Sequence, residues 1–282
     1  MPNHKIAKTI SCVRDFQNQN PGKSIGFVPT MGYLHEGHLS LVKRAVKEND
    51  LVIVSIFVNP KQFNQGNDFI NYPRSVKTDL ELLSQYPIDL VFMPENNEIY
   101  PTDFSSKVKV DKITDYLEGH FRPGHFEGVT TVLAKLFNIA RPHRAYFGQK
   151  DAQQLIVIKK MVADLNFDIE IIACPTIREK NGLAMSSRNA RLSANERDEA
   201  KILFQALMKG KESILKGERN SGKIEALIEK TIQESHSAEI EYVSLNDAVN
   251  LAPLTEIQGE ILISLAVNFG EVRLIDNILL KT

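Results

Sequence analysis

Ile25-Gly26-Phe27-Val28-Pro29-Thr30-Met31-Gly32-Tyr33-Leu34-His35-Glu36-Gly37-His38 is the stretch that decides the fold. Residues 25–28 are an apolar run of the kind that makes a buried strand. The run breaks at Pro29, turns through Gly32 and Gly37, and enters a helical pattern carried by Leu39, Leu41, Val42, Ala45 and Val46. Strand, glycine-bearing loop and helix form the first half of a βαβ unit, whose helix-start N–H groups face any anion placed there. His35 and His38 lie three residues apart as the helix begins, so both face that anion. H-x-x-H is also half of a metal site, but zinc helices carry the wider H-E-x-x-H. No cysteine cluster lies near to complete a shell.

Outward from this stretch, helix-like spacing covers 5–19 (Ile6, Ile10, Val13, Phe16) and ends at the turn Asn20-Pro21-Gly22. Residues 51–58, LVIVSIFV, read as a central parallel strand covered on both faces, opening at Asn59-Pro60 into the loop KQFNQGND. A helix over 76–86 leads to a strand over 89–93 that stops at Pro94. Residues 96–124 read as less regular, with 107–110 a candidate short strand outside the series; a helix over 128–140, a strand over 144–147, a helix over 150–165 and a strand over 168–175 follow. Five strands alternating with helices predict an α/β fold, a doubly wound parallel, Rossmann-like sheet.

The pattern changes after Asn189. Ser193 with Glu196 reads as a capping box opening a long helix to about 216, and a second helix covers 223–234. Strand-like runs at 240–245, 260–267 and 272–275 close the chain, the last two joined by the hairpin turn Asn268-Phe269-Gly270-Glu271. The expected organisation is an N-terminal nucleotide-binding domain, 1–180, and a smaller α+β lid domain, 181–282.

Composition excludes several classes. With 282 residues, 43% hydrophobic and 24% charged, this is an ordinary globular chain. A formal net charge of −1 supplies no global field for nucleic acid. No apolar run approaches the ~20 residues that span a bilayer, and MPNHKIAKTI has no apolar signal core. The expectation is a cytoplasmic protein with no membrane or nucleic-acid partner. Cys12 and Cys174 read as reduced buried thiols rather than a disulfide or a metal site.

Three further groups carry chemistry. Gly148-Gln149-Lys150-Asp151 follows a strand and opens a helix, where a lysine and helix-start amides reach a phosphate or carboxylate, although ordinary capping looks the same. Ala184-Met185-Ser186-Ser187-Arg188-Asn189 combines two hydroxyls and a guanidinium, suited to a loop folding over a polyphosphate or to a polar linker. Phe121-Arg122-Pro123-Gly124-His125-Phe126 is a loop dense in cations and aromatics, and Gln62 and Gln154 are neutral donors near strand ends.

Together, His35-Glu36-Gly37-His38 and Met185-Ser186-Ser187-Arg188 resemble the HIGH and KMSKS loops of the nucleotidyltransferase superfamily shared with class I aminoacyl-tRNA synthetases. Pro29-Thr30-Met31-Gly32, Phe57-Val58-Asn59-Pro60 with Gln62-Phe63, Tyr72-Pro73-Arg74, FRPGHF, GQKD and AMSSRN in that order narrow the resemblance to the pantoate–β-alanine ligase family. It runs from about Gly26 to Asn189.

The resemblance implies condensation of (R)-pantoate with β-alanine through a pantoyl-adenylate, releasing AMP and pyrophosphate, with ATP and Mg2+ and no covalent enzyme nucleophile. It implies that His38, His35, Lys150 and Arg188 are catalytic. ATP would lie against Met31, Gly32, Tyr33, Leu34, His35, Glu36, Gly37, His38, Gly148, Gln149, Lys150, Asp151, Ile177, Met185, Ser186, Ser187 and Arg188. Pantoate would be held by Gln62 and Gln154 with Pro29, Met31 and Phe57 as its apolar wall, and β-alanine by Gln62. Asp79 is a candidate for outer contacts of magnesium, whose ligands are otherwise unknown, and the family's assembly implies a homodimer. Competing readings are a nucleotidyltransferase for a phosphate substrate, a non-catalytic RNA-binding relative, and a metal-dependent hydrolase using His35 and His38.

Overall fold

The structure, a computed structural model, describes residues 4–63 and 69–282. The later part of the loop expected at 61–68 therefore lies outside the described residues. Contacts divide the chain into two units that interleave along the sequence. The first holds Met1–Asp111, Phe121–Gln149 and Gln154–Pro175; the second holds Lys112–His120, Lys150–Gln153 and Thr176–Thr282.

The first unit is built on a parallel sheet of six strands in the order β1-β4-β3-β2-β5-β6. These are β1 (Lys5–Ala7), β2 (Ile25–Thr30), β3 (Leu51–Ile56), β4 (Leu90–Phe92), β5 (Arg144–Gly148) and β6 (Glu170–Cys174). Its longer helices are α1 (Ile10–Asn18), α2 (Glu36–Glu48), α3 (Val76–Leu83), α4 (His125–Ala140) and α5 (Ala152–Asp164). The doubly wound expectation holds with one strand added. Residues 5–19 are not one helix: Thr9 caps α1 by accepting from the amide of Cys12, which frees Lys5–Ala7 to pair with β4 as an edge strand. Three residues leave no alternation to read, and Ile6 keeps the helical spacing by accident.

Alternation in the sheet assigns its two faces. Val28, Val54 and Tyr146 point to the side packed by Leu39, Val42 and Ala45 of α2. Phe27 and Phe147 point the other way, where both rings meet Phe137 of α4 edge-on at 6.5 and 6.4 Å. The expected strand over 107–110 is absent. Val108 instead gives its amide to the Thr131 hydroxyl, and its carbonyl accepts from the Thr130 hydroxyl, so helix α4 satisfies this backbone in place of a ladder.

In the second unit, β7 (Ala238–Asp247), β8 (Glu260–Phe269) and β9 (Val272–Lys281) form an antiparallel sheet. Its helices are α6 (Ala194–Glu199), α7 (Ile202–Leu215) and α8 (Ser221–Ile232). Leu203, Leu207, Ile224, Ile228, Ile263 and Leu265, all buried, are part of the core they share. The Ser193–Glu196 capping box forms as expected, but it opens only α6; the helix expected to run to about 216 breaks between Glu199 and Ile202. Phe269 pairs with Val272, making Gly270-Glu271 a two-residue hairpin turn with Gly270 at φ +54°. No described helix is long and apolar enough to cross a membrane. Both cysteines are free; Cys174 is buried as expected, whereas Cys12 is exposed on α1.

Candidate active site

The chain leaves β2 toward β3 on one side and returns to β5 on the other, so β2 and β5 flank the topological switch point, where open α/β sheets bind ligands. Strand β2 runs through the break read at Pro29 and ends at Thr30, two residues past the expected end at Val28, because its register with β3 continues to Thr30–Ile56. The carbonyl of Ser24 accepts from Leu51 and that of Thr30 from Phe57, whereas Ile25 faces β5 through the amide of His143. By alternation the missing amide of Pro29 would also face β5. Pairing between β2 and β5 ends at Phe27–Ala145, so no ladder bond is lost, and the sheet opens at its carboxyl end.

The loop beyond β2 is pinned at both ends. The Thr30 hydroxyl donates to the Ser55 carbonyl at 2.8 Å and accepts the Gly32 amide at 3.2 Å. Buried Asp79 of α3 takes the amide of Tyr33 on Oδ2 (2.9 Å) and that of Leu34 on Oδ1 (2.7 Å). Gly32 has φ +79°, and a Cβ there would press the Asp79 carboxylate at 3.0 Å. Burial raises the Asp79 pKa, and the two amides work against that rise. Asp79 is therefore a brace for the loop. With both oxygens turned inward it does not fit the magnesium contact expected of it.

His35 is the N-cap of α2. Its Nδ1 accepts the Gly37 amide at 3.1 Å, while Nδ1 of His38 accepts the His35 amide at 3.3 Å. A backbone N–H only donates, so each neutral ring carries its hydrogen on Nε2. Glu36 and Gly37 are the first residues of the helix, so Met31, Gly32, Tyr33, Leu34, His35, Glu36, Gly37 and His38 form one continuous arc at the end of β2.

After β3, Asn59 caps a 3-10 turn, Pro60–Gln62. Buried Asn59 accepts from the Tyr100 hydroxyl at 2.8 Å on Oδ1, which leaves Nδ2 to donate to Gln62 Oε1 (3.0 Å) and the Gly128 carbonyl (3.1 Å). With its oxygen held there, Gln62 directs Nε2 toward Met31 Sδ, 3.1 Å away. The Gln62 carbonyl accepts from buried His125 Nδ1 at 2.8 Å. Gly128 lets α4 touch this turn: a Cβ would lie 2.2 Å from the Lys61 carbonyl oxygen. Within FRPGHF the loop narrows to the turn Arg122-Pro123-Gly124, because Phe121 ends a short helix, Leu117–Phe121, and His125 begins α4. Tyr100 was not singled out from sequence, and Asn59 and His125 stood there only within their motifs, with no link to Gln62. Only Asn59 had a signal, an Asn-Pro pair that starts a helical turn. In this same unit, Phe57 is buried against the Tyr100 ring, Gly148 ends β5, Gln149 follows it, and Gln154 sits half-buried on the first turn of α5.

The second unit carries the other expected residues. Ile177 accepts the Met185 amide at 2.9 Å, and Arg178 bridges to Ala184, so 177–185 is a hairpin-like loop. Ser186 accepts the Arg188 amide and caps the 3-10 turn Ser187–Arg191. Asn189, buried, donates to the Ala184 carbonyl and to Glu179. The Lys150 carbonyl accepts from Asn277 at 2.7 Å, and its ammonium lies 3.9 Å from Asp151. Among the described residues no three His, Cys, Asp or Glu side chains gather as a metal cage.

The model of the pantoate-beta-alanine ligase family matches residues 5–279. The pantothenate synthetase of Acetivibrio thermocellus is 51% identical over 279 residues, covering 98% of this chain and 99% of that protein. Crystal structures of pantothenate synthetase from Thermus thermophilus (TM-score 0.93, 41% identity, 97% and 98% coverage) and of pantoate-beta-alanine ligase from Francisella tularensis (TM-score 0.81, 38% identity, 98% and 97% coverage) are similar throughout. The latter is complexed with beta-gamma ATP and beta-alanine.

Proposed function

Because this chain belongs to the pantoate–β-alanine ligase family, we propose that it condenses (R)-pantoate with β-alanine in two ATP-driven steps. The pantoate carboxylate attacks the α-phosphorus of ATP and pyrophosphate leaves; the amine of β-alanine then attacks the acyl carbon of pantoyl-adenylate, and AMP leaves. The observation that carries this reading is the pair of imidazoles whose Nδ1 atoms are occupied by backbone amides. Their Nε2–H groups are donors of fixed direction, suited to charge building on the phosphate oxygens, with His38 nearest the α-phosphorus. Positioning and charge stabilisation are the whole of the catalysis proposed.

Gln62 grips pantoate through Nε2 and meets β-alanine, Gln154 assists, and Pro29, Met31 and Phe57 form the apolar wall. Lys150, Ser186, Ser187 and Arg188 hold the phosphates, while backbone at Met31, Gly148, Gln149, Asp151 and Ile177 receives adenine and ribose. Magnesium would be carried on the phosphates that Lys150, Ser186, Ser187 and Arg188 hold, and would supply further neutralisation of their charge. A cytoplasmic homodimer is the assembly we propose, checked by sedimentation velocity. The function is tested by supplying ATP, magnesium, pantoate and β-alanine and scoring AMP with each substrate omitted in turn. Pyrophosphate without β-alanine, but AMP only with it, is expected; a dinucleotide-like product would refute the ligase reading.

A further inference from the structure

Strand β9 carries three polar side chains that a sheet strand seldom holds, Arg273, Asp276 and Asn277, the last two buried. Each reaches a different segment. Arg273 forks onto Glu118 at 2.7 and 2.8 Å, fastening the excursion Lys112–His120. That excursion in turn receives Gln153, whose Nε2 donates to the carbonyls of Ile113 (2.9 Å) and Tyr116 (2.8 Å). Asp276 takes both Nη atoms of Arg178 at 2.6 and 3.0 Å, and Arg178 also donates to the Gly182 carbonyl and stacks 3.9 Å over the Phe204 ring. Asp276 further accepts the amide of Asn277, whose Nδ2 holds the Lys150 carbonyl at 2.7 Å.

From this we propose that Asn277, next to Asp276 on β9, is a positioning residue that fixes Lys150 relative to the Met185-Ser186-Ser187-Arg188 loop. Lys150–Gln153 leaves β5 only to be pinned at one end by Asn277 and at the other by the Lys112–His120 segment. The 177–185 hairpin that presents the hydroxyls and Arg188 is fastened one residue away, at Asp276. One strand thus sets the spacing between two phosphate-holding groups that lie far apart in sequence. The inference rests on the proposed phosphate role of Lys150.

The test is a double-mutant cycle on pyrophosphate release with ATP and pantoate. Asn277→Ala removes the donor, and Asn277→Asp keeps the shape while turning an acceptor toward the Lys150 carbonyl; if the alanine variant melts early, the aspartate variant carries the cycle. Each single variant is expected to slow adenylation about tenfold or more, as misplaced groups do. In a Lys150→Ala background the same change should alter the rate by less than about twofold. Additive effects with an active Lys150 role overturn the positioning inference alone. A Lys150→Ala enzyme that keeps wild-type adenylation overturns the phosphate reading and this inference with it.

Discussion

His35 and His38 lock one another across the first turn of α2, their rings 4.1 Å apart and each Nδ1 filled by a main-chain amide. The reciprocity is that of a capping box, with two imidazoles where Ser and Glu usually stand. One consequence is that each ring contributes to helix stability as well as to the phosphate contact proposed for it.

His38→Ala should therefore lower adenylate formation about 10²–10³-fold, as loss of one preorganised donor does. It should also cost about 0.5–2 kcal/mol through the lost cap. Rapid-quench measurement of adenylate with a parallel urea melt separates the two effects.

Gln62→Ala should raise the KM for pantoate far more than that for ATP, and Tyr100→Phe should do the same more weakly. The phenol hydroxyl reaches Gln62 through Asn59, by fixing which way that amide lies. A larger rise in the ATP KM in either variant would reassign the relay.

Gly128→Ala places a methyl 2.2 Å from the Lys61 carbonyl oxygen, and the rigid backbone must give. The expected outcome is a stable but displaced Pro60–Gln62 turn, read as a pantoate KM raised without loss of ATP binding in calorimetry.

Asp79→Ala strands the amides of Tyr33 and Leu34, each at a cost of about 1–3 kcal/mol where water is excluded. A lowered melting temperature and weaker ATP binding should appear together, since the braced loop leads straight into His35.

Glu199 accepts from the hydroxyls of Ser235 (2.5 Å) and Ser237 (2.7 Å) and from the Ser237 amide (3.0 Å), which hold its pKa down at about 2 against an ordinary 4.5. The group is depressed on folding, so its contribution is complete above pH 4.5 and is lost as pH falls toward about 2. Wild type should exceed Glu199→Gln in stability at neutral pH, and the gap should close across that window in urea titrations.

Much of the candidate site was legible because the histidines, MSSR and GQKD stand at element ends, where spacing and glycines mark the chain. The supporting residues were not. Asp79 lies mid-helix in an unremarkable polar run, and Tyr100 and His125 reach the Gln62 turn across 41 and 63 residues of sequence separation from Asn59 and Gln62. Nothing local records such distant partners. Edge strand β1 escaped for the opposite reason: it is too short to carry a period, and Thr9 was the only mark of its end.

The interleaving of the two units has a practical side. A polypeptide cut to begin at Thr176 would take β9 with it but leave Glu118 and Lys150 behind. Arg273 would keep Glu241 and lose its forked carboxylate partner, and Asn277 would have no carbonyl to hold. Such a fragment is a poor candidate for separate expression, and grafting the second unit onto a related enzyme would require transplanting two short inserts along with it.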